Sequence, residues 1–128
     1  MDIGTVNGIL KEIEKHNFKA YIVGGFVRDY ILNIDSIDID ICTNATPKDL
    51  SNIFTNIKTK GIKYGSITII KNKVRFEVTT FRKDIGYIDH RVPKKIKYIN
   101  NLTDDLKRRD FTINTICMDS NGNIIDLL

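Results

Sequence analysis

Tryptophan is absent from this 128-residue chain, and proline, cysteine, methionine and histidine occur twice each. The two cysteines, Cys42 and Cys117, stand apart in apolar surroundings, with neither metal-ligand spacing nor an adjacent histidine. That excludes a zinc ribbon and a disulfide framework, and leaves reduced, buried thiols as the expectation. No apolar run approaches the roughly 20 residues of a membrane-spanning helix, and no apolar signal core opens the chain, so a cytoplasmic protein with no membrane contact is expected. Neither G-x-G-x-x-G nor G-K-[ST] is present, so the dinucleotide and P-loop fingerprints are excluded. Charge of one sign is not in large excess: 20 basic against 16 acidic residues leave +4, which suits an anionic partner without identifying one. A hydrophobic content of 41% is enough for one core, and one domain over residues 1–128 is expected.

What is present concentrates in AYIVGGFVRDYILNIDSIDIDICT, residues 20–43. Tyr21, Ile22 and Val23 form an apolar run of strand type, and Gly24-Gly25 follows, where backbone without Cβ can bend and approach a ligand closely. Val27, Tyr30, Ile31 and Ile34 then recur at helical spacing, so the glycine pair opens a helix. The free N–H groups and dipole of such a terminus favour an anion, and Arg28 adds a fixed positive charge. Alone, the pair also reads as a mere tight turn. In Asp38-Ile39-Asp40-Ile41 a strand buries the isoleucines and projects both aspartates from the opposite face, their Cα atoms about 6.5–7 Å apart, where they can converge on divalent cations. The competing reading is the wet face of an edge strand.

Elsewhere, residues 2–16 read as an amphipathic helix with Val6, Ile9, Leu10 and Ile13 on one stripe, able to cover a sheet face. Thr46 is a natural N-cap, with Pro47 at the first helical position, Asp49 at the third, and an apolar stripe of Leu50, Ile53, Phe54 and Ile57. Period two then predicts strands at about 67–71 and 74–81 around a tight turn at Asn72-Lys73. Glu77 falls on the polar side of the second strand; if that strand lies beside Asp38 and Asp40, it becomes a third carboxylate, the alternative being an Arg75–Glu77 pair on a wet face. Residues 82–96 carry no sustained period and read as a long loop. Residues 101–109 read as a short helix, Asp110 as the N-cap of another, and 116–125 as a hairpin around Asn121-Gly122.

Four motifs in this order, Gly24-Gly25-x-x-Arg28-Asp29, Asp38-x-Asp40, Glu77-x-Thr79-Thr80-Phe81-Arg82 and Arg108-Arg109-Asp110-Phe111-Thr112-Ile113-Asn114, resemble the head domain of bacterial CCA-adding tRNA nucleotidyltransferases and poly(A) polymerases, within the polymerase-beta-like superfamily. The resemblance implies an α+β fold, a mixed or antiparallel sheet with helices mainly on one face. It also implies nucleotidyl transfer: CMP or AMP from CTP or ATP to an RNA 3′ end, tRNA CCA addition foremost, with A addition or polyadenylation as the alternatives within the family. Asp38 and Asp40 would hold Mg2+ and act catalytically with Glu77; Gly24, Gly25 and Arg28 would grip the triphosphate; Arg109 and Asp110 would contact ribose and phosphates. In the family the loop matching residues 82–96 is mobile and helps switch nucleotides, which offers Arg82 and Arg91 to phosphate or RNA; the competing reading, and the favoured one for Arg91, is a solvated arginine on a loose connection. Family members continue into a helical neck, body and tail bearing an E-D-x-x-R element, and none of it occurs before Leu128. Two rival readings follow: a nucleotide-binding module without catalysis, or a catalytic head that needs a missing helical region or a partner chain.

Overall fold

The computed structural model describes residues 3–23, 38–89, 92–107 and 116–126. Helix α1 (Ile3–Lys15) leads into strand β1 (Ala20–Val23); then come β2 (Asp38–Thr43), helix α2 (Pro47–Ile53), a single 3-10 turn (Ile62–Tyr64) and the hairpin β3 (Ser66–Lys71) and β4 (Val74–Thr80). A second hairpin, β5 (Arg82–Asp89) and β6 (Val92–Tyr98), precedes helix α3 (Leu102–Lys107) and the terminal strands β7 (Ile116–Met118) and β8 (Ile124–Asp126). Six strands form one sheet in the order β3-β4-β2-β1-β7-β8, while β5 and β6 form a separate ribbon. Only β2 and β4 run parallel among the described pairs, so the sheet is mixed, and the α+β class expected from the sequence is the one observed.

Burial explains the layering. Val6, Ile9, Leu10 and Ile13 of α1 are all buried, the stripe that helical periodicity selects, and they join Leu50 of α2 over Ile22, Ile39, Ile41, Ile67, Ile69, Phe76 and Val78. These sheet residues alternate with residues of the opposite face, polar ones in β4 and at the start of β2, so one face carries the main core. On the other face Val23, Cys42, Phe81 and Cys117 make a smaller core, with Tyr21, Ile99, Leu102 and Ile125 packed on it. Both cysteines are free and buried, as expected. Tyr21 stacks on Phe81 with ring centroids 6.4 Å apart. Burial, with Cys117, Cys42 and Asp119 nearby, pushes the Tyr21 phenol above its ordinary range.

Capping is as the sequence predicts at α2. The Thr46 hydroxyl accepts from the Asp49 N–H, and the Asp49 carboxylate accepts from the Thr46 N–H at 2.9 Å, a capping box that satisfies two orphan groups reciprocally. The helix is shorter than its apolar stripe suggests. Phe54 is already extended at φ −114° and ψ 149°, and Asn56 is left-handed at φ 56°. Phe54 and Ile57 still reach the main core, from extended chain instead of helix. The chain leaves the helix here because Lys58 pairs with Thr68 through two 2.8 Å backbone hydrogen bonds, which cover the edge of β3.

Residues 82–96 correct the sequence reading. The described ones, 82–89 and 92–96, are not a loop but most of an antiparallel ribbon, paired from Arg82↔Tyr98 to Asp89↔Val92 with one irregularity between Tyr87 and Asp89. A two-stranded ribbon outside the main sheet imposes no hydrophobic alternation, and every strand in it is an edge that tolerates Pro93, so period two had nothing to detect. Its base is pinned to the main body: Ile99 N–H donates to the Phe81 carbonyl at 2.9 Å, and Gly65 lies against Tyr98 and Ile96. Gly65 needs to be glycine twice over, since its φ is +78° and a Cβ there would lie 2.9 Å from Tyr98 Cε1.

Candidate active site

Strand β2 lies inside the sheet, between β1 on one side and β4 on the other. The period-two pleat sends Ile39 and Ile41 into the main core, each 1% exposed, and leaves Asp38 and Asp40 exposed on the opposite face. Pairing with β1 ends at Val23↔Asp40, whereas β4 continues beside β2 through Asp40↔Glu77 to Asp38↔Arg75. The two aspartates therefore flank a cleft of about 240 Å³ lined by Asp38, Ile39, Asp40, Arg75 and Glu77. The sequence condition set for Glu77, that its strand lie beside the aspartates, is met in register.

Glu77 is half-buried and held from the far side. Strand β3 pairs with β4 so that Thr68 faces Glu77 and Ser66 faces Thr79. The Ser66 hydroxyl donates to Glu77 Oε1, the Thr68 hydroxyl donates to Glu77 Oε2 at 3.1 Å, and Thr79 donates to Ser66 Oγ at 3.4 Å. Asp40, Glu77 and Thr68 thus form a row across three strands, with Glu77 tied toward β3. Among the described residues, no three acidic, histidine or cysteine side chains converge tightly enough to hold a cation together. Asp38 and Asp40, two exposed carboxylates two residues apart on one strand, fit a small hard cation that completes its shell with water and substrate phosphate.

Sequence reasoning missed Ser66, Thr68 and Thr79, although the signal was there. A two-residue turn at Asn72-Lys73 pairs Lys71 with Val74, and counting back along the hairpin from that pair sets Thr68 opposite Glu77. Arg82 is tied into the fold: its guanidinium donates from Nη1 to the Tyr64 carbonyl, and its backbone N–H donates to Asp105 Oδ1 at 3.0 Å. Asp105 is fully buried, so the start of the ribbon is locked to α3. Gly24, Gly25, Arg28, Arg91, Arg109 and Asp110 lie outside the described residues, as does the second short helix expected from Asp110.

Known proteins share this fold. The CCA-adding enzyme of Staphylococcus haemolyticus is 48% identical over 118 residues, which is 92% of this chain and 30% of that protein. The structure of Bacillus stearothermophilus CCA-adding enzyme in complex with CTP superposes on all of this chain with a TM-score of 0.85 and 36% identity, again over 30% of that protein. A tRNA nucleotidyltransferase complexed with a primer tRNA and an incoming ATP analog superposes on 96% of the chain and 34% of its own length, with a TM-score of 0.64 and 28% identity. The chain spans about a third of the length of these relatives. No helix among the described residues is long and apolar enough to cross a membrane. With residues 20–128 matching the poly A polymerase head domain, and with the fold of the CCA-adding enzyme head around the Asp38–Asp40 strand, the chain belongs to the poly A polymerase head domain family of polymerase-beta-like nucleotidyltransferases.

Proposed function

We propose that this chain is the catalytic head of a cytoplasmic tRNA nucleotidyltransferase, which transfers CMP and AMP from CTP and ATP to an RNA 3′ end. The observation that carries this reading is the split of β2, with Ile39 and Ile41 sealed in the core while Asp38 and Asp40 stand exposed together at one cleft. The relatives complexed with CTP, and with primer tRNA and an ATP analog, support the choice of substrates. Divalent-cation dependence is general in the family, and the all-oxygen donor set supports Mg2+.

In the reaction the RNA 3′-hydroxyl oxygen bonds to the α-phosphorus, the bond from that phosphorus to the bridging oxygen breaks, and pyrophosphate leaves; the hydroxyl proton passes to water. Bound Mg2+ supplies Lewis-acid polarisation of the phosphoryl oxygens and eases ionisation of the hydroxyl. Asp38 and Asp40 would hold the cation, while Glu77 keeps negative charge on the β4 side of the cleft. Gly24, Gly25 and Arg28 are assigned from the sequence to the triphosphate, and Arg109 and Asp110 to the ribose and phosphates.

Primer extension on a tRNA lacking its terminal CCA, with each nucleotide offered singly in Mg2+, tests the proposal. Incorporation of CMP, then of AMP, is the expected result. Triphosphate binding without incorporation on any RNA would instead identify a non-catalytic nucleotide-binding module. Incorporation only after a helical fragment is added would identify a head that works with further chain.

A further inference from the structure

We infer that the hydroxyls of Ser66 and Thr68 are positioning residues that hold the Glu77 carboxylate on the β3 side of the cleft, so that Asp38 and Asp40 bind the cation without Glu77 and Glu77 reaches it only through water. The inference rests on the reading of this cleft as a metal centre. It deepens that reading by separating ligands from a neighbour that shares their charge and their face.

The geometry is specific. Both carboxylate oxygens of Glu77 are engaged, Oε1 by Ser66 and Oε2 by Thr68, and both donors come from one strand. The donors are built in: Ser66 is 7% and Thr68 8% exposed, and Ser66 itself accepts from Thr79. Each carboxylate oxygen carries two lone pairs, so one donor apiece leaves the other pair open to cleft water. Glu77 is the register neighbour of Asp40, and two like charges directly across adjacent strands repel. Tying Glu77 to uncharged donors on β3 draws it away from Asp40 without removing its charge from the site. The lack of a three-ligand cluster among the described residues follows from this arrangement.

The test is Mn2+ binding to the whole chain without nucleotide, followed by electron paramagnetic resonance, with thermal melting to verify folding. Glu77→Gln, the loss of a water-linked neighbour, should weaken binding by about tenfold, and Asp40→Asn by clearly more. Ser66→Ala with Thr68→Val frees Glu77 to reach the cation, so Mn2+ should bind roughly threefold to tenfold more tightly, as an added charged ligand implies. Introducing Glu77→Gln into that background should abolish the gain, and Thr68→Ser, which keeps the hydroxyl, should match the wild type. A double variant too unstable to fold is replaced by Thr68→Val alone, with a smaller gain expected. Equal losses in Glu77→Gln and Asp40→Asn, or no gain when the hydroxyls are removed, would overturn the inference. A wild-type chain that binds no Mn2+, or binding indifferent to both aspartates, would overturn the metal centre itself, a distinct result.

Discussion

The two faces of the central sheet are built from the same strands and do opposite work. On the helix-covered face Ile39 and Ile41 of β2 meet Phe76 and Val78 of β4 under α1 and α2, all of them buried. On the other face the intervening residues of the same strands are Asp38, Asp40, Arg75 and Glu77, which line the cleft. Aspartate is a poor strand former, and neighbouring carboxylates repel, so the cleft face gives up stability that the isoleucine face supplies. The lesson is that period two lets one strand carry stability and chemistry side by side without either compromising the other's packing. That separation can be attacked from both sides.

The largest effect is expected on the cleft face. Replacing Asp38 or Asp40 by alanine should lower nucleotide incorporation by about a thousandfold or more, while the melting temperature stays level or rises slightly because strand propensity improves. Normal turnover in both variants would break the comparison, as would unfolding. Ile41→Ala should do the converse: removal of a buried side chain costs about 2–5 kcal/mol of stability, read as a lower denaturation midpoint, while the folded fraction keeps its Mn2+ binding. Loss of Mn2+ binding at unchanged stability would show that the two faces are not independent.

A smaller effect is expected where the ribbon meets the sheet. Gly65→Ala forces a side chain into φ +78° and against Tyr98, for a loss of about 1–3 kcal/mol. Since the displaced Tyr98 ring end can shift, Tyr98→Ala should rescue only the steric share, and denaturant melts of the single and double variants measure it. The least is expected from Asp119, in the β7–β8 turn. Partial desolvation works upward on its carboxyl, but hydrogen bonds from Asn123, Asn121 and Gly122 outweigh it and hold the group below its ordinary value. A depressed carboxyl stabilises the fold above its unfolded pKa of about 4 and loses that contribution as pH falls through the folded value. Asp119→Asn should therefore cost a little stability at neutral pH, with the difference from the wild type shrinking below about pH 4 in thermal melts. A difference that stays constant down to acid pH would show that the turn does not depend on the charge.

Legibility followed the range of the interaction. The α1 stripe, the Thr46–Asp49 box and the alternation of β2 could all be read from the sequence, because each depends on residues a few positions apart whose relation is set by helical or strand period. The early end of α2 could not: Phe54 and Ile57 keep the helical spacing of apolar residues, yet the backbone there answers to the Lys58–Thr68 pairing. Nor could the β5–β6 ribbon, whose strands have no shared hydrophobic face to announce them. The anchoring of Arg82 to Tyr64 and Asp105 was likewise invisible in its motif, because both partners are distant in sequence.

By itself the sequence determined that Asp38 and Asp40 share a face and that Ile39 and Ile41 oppose them, because side chains on any strand alternate whatever lies alongside. Only the tertiary structure decided what lies alongside. Parallel β4, reached through α2 and the β3 hairpin, sets Glu77 against Asp40, and β3 then turns Ser66 and Thr68 onto its carboxylate. Alternation is a property of local backbone geometry, whereas the choice of a parallel neighbour is made by burial of side chains far apart in sequence, which no local pattern encodes.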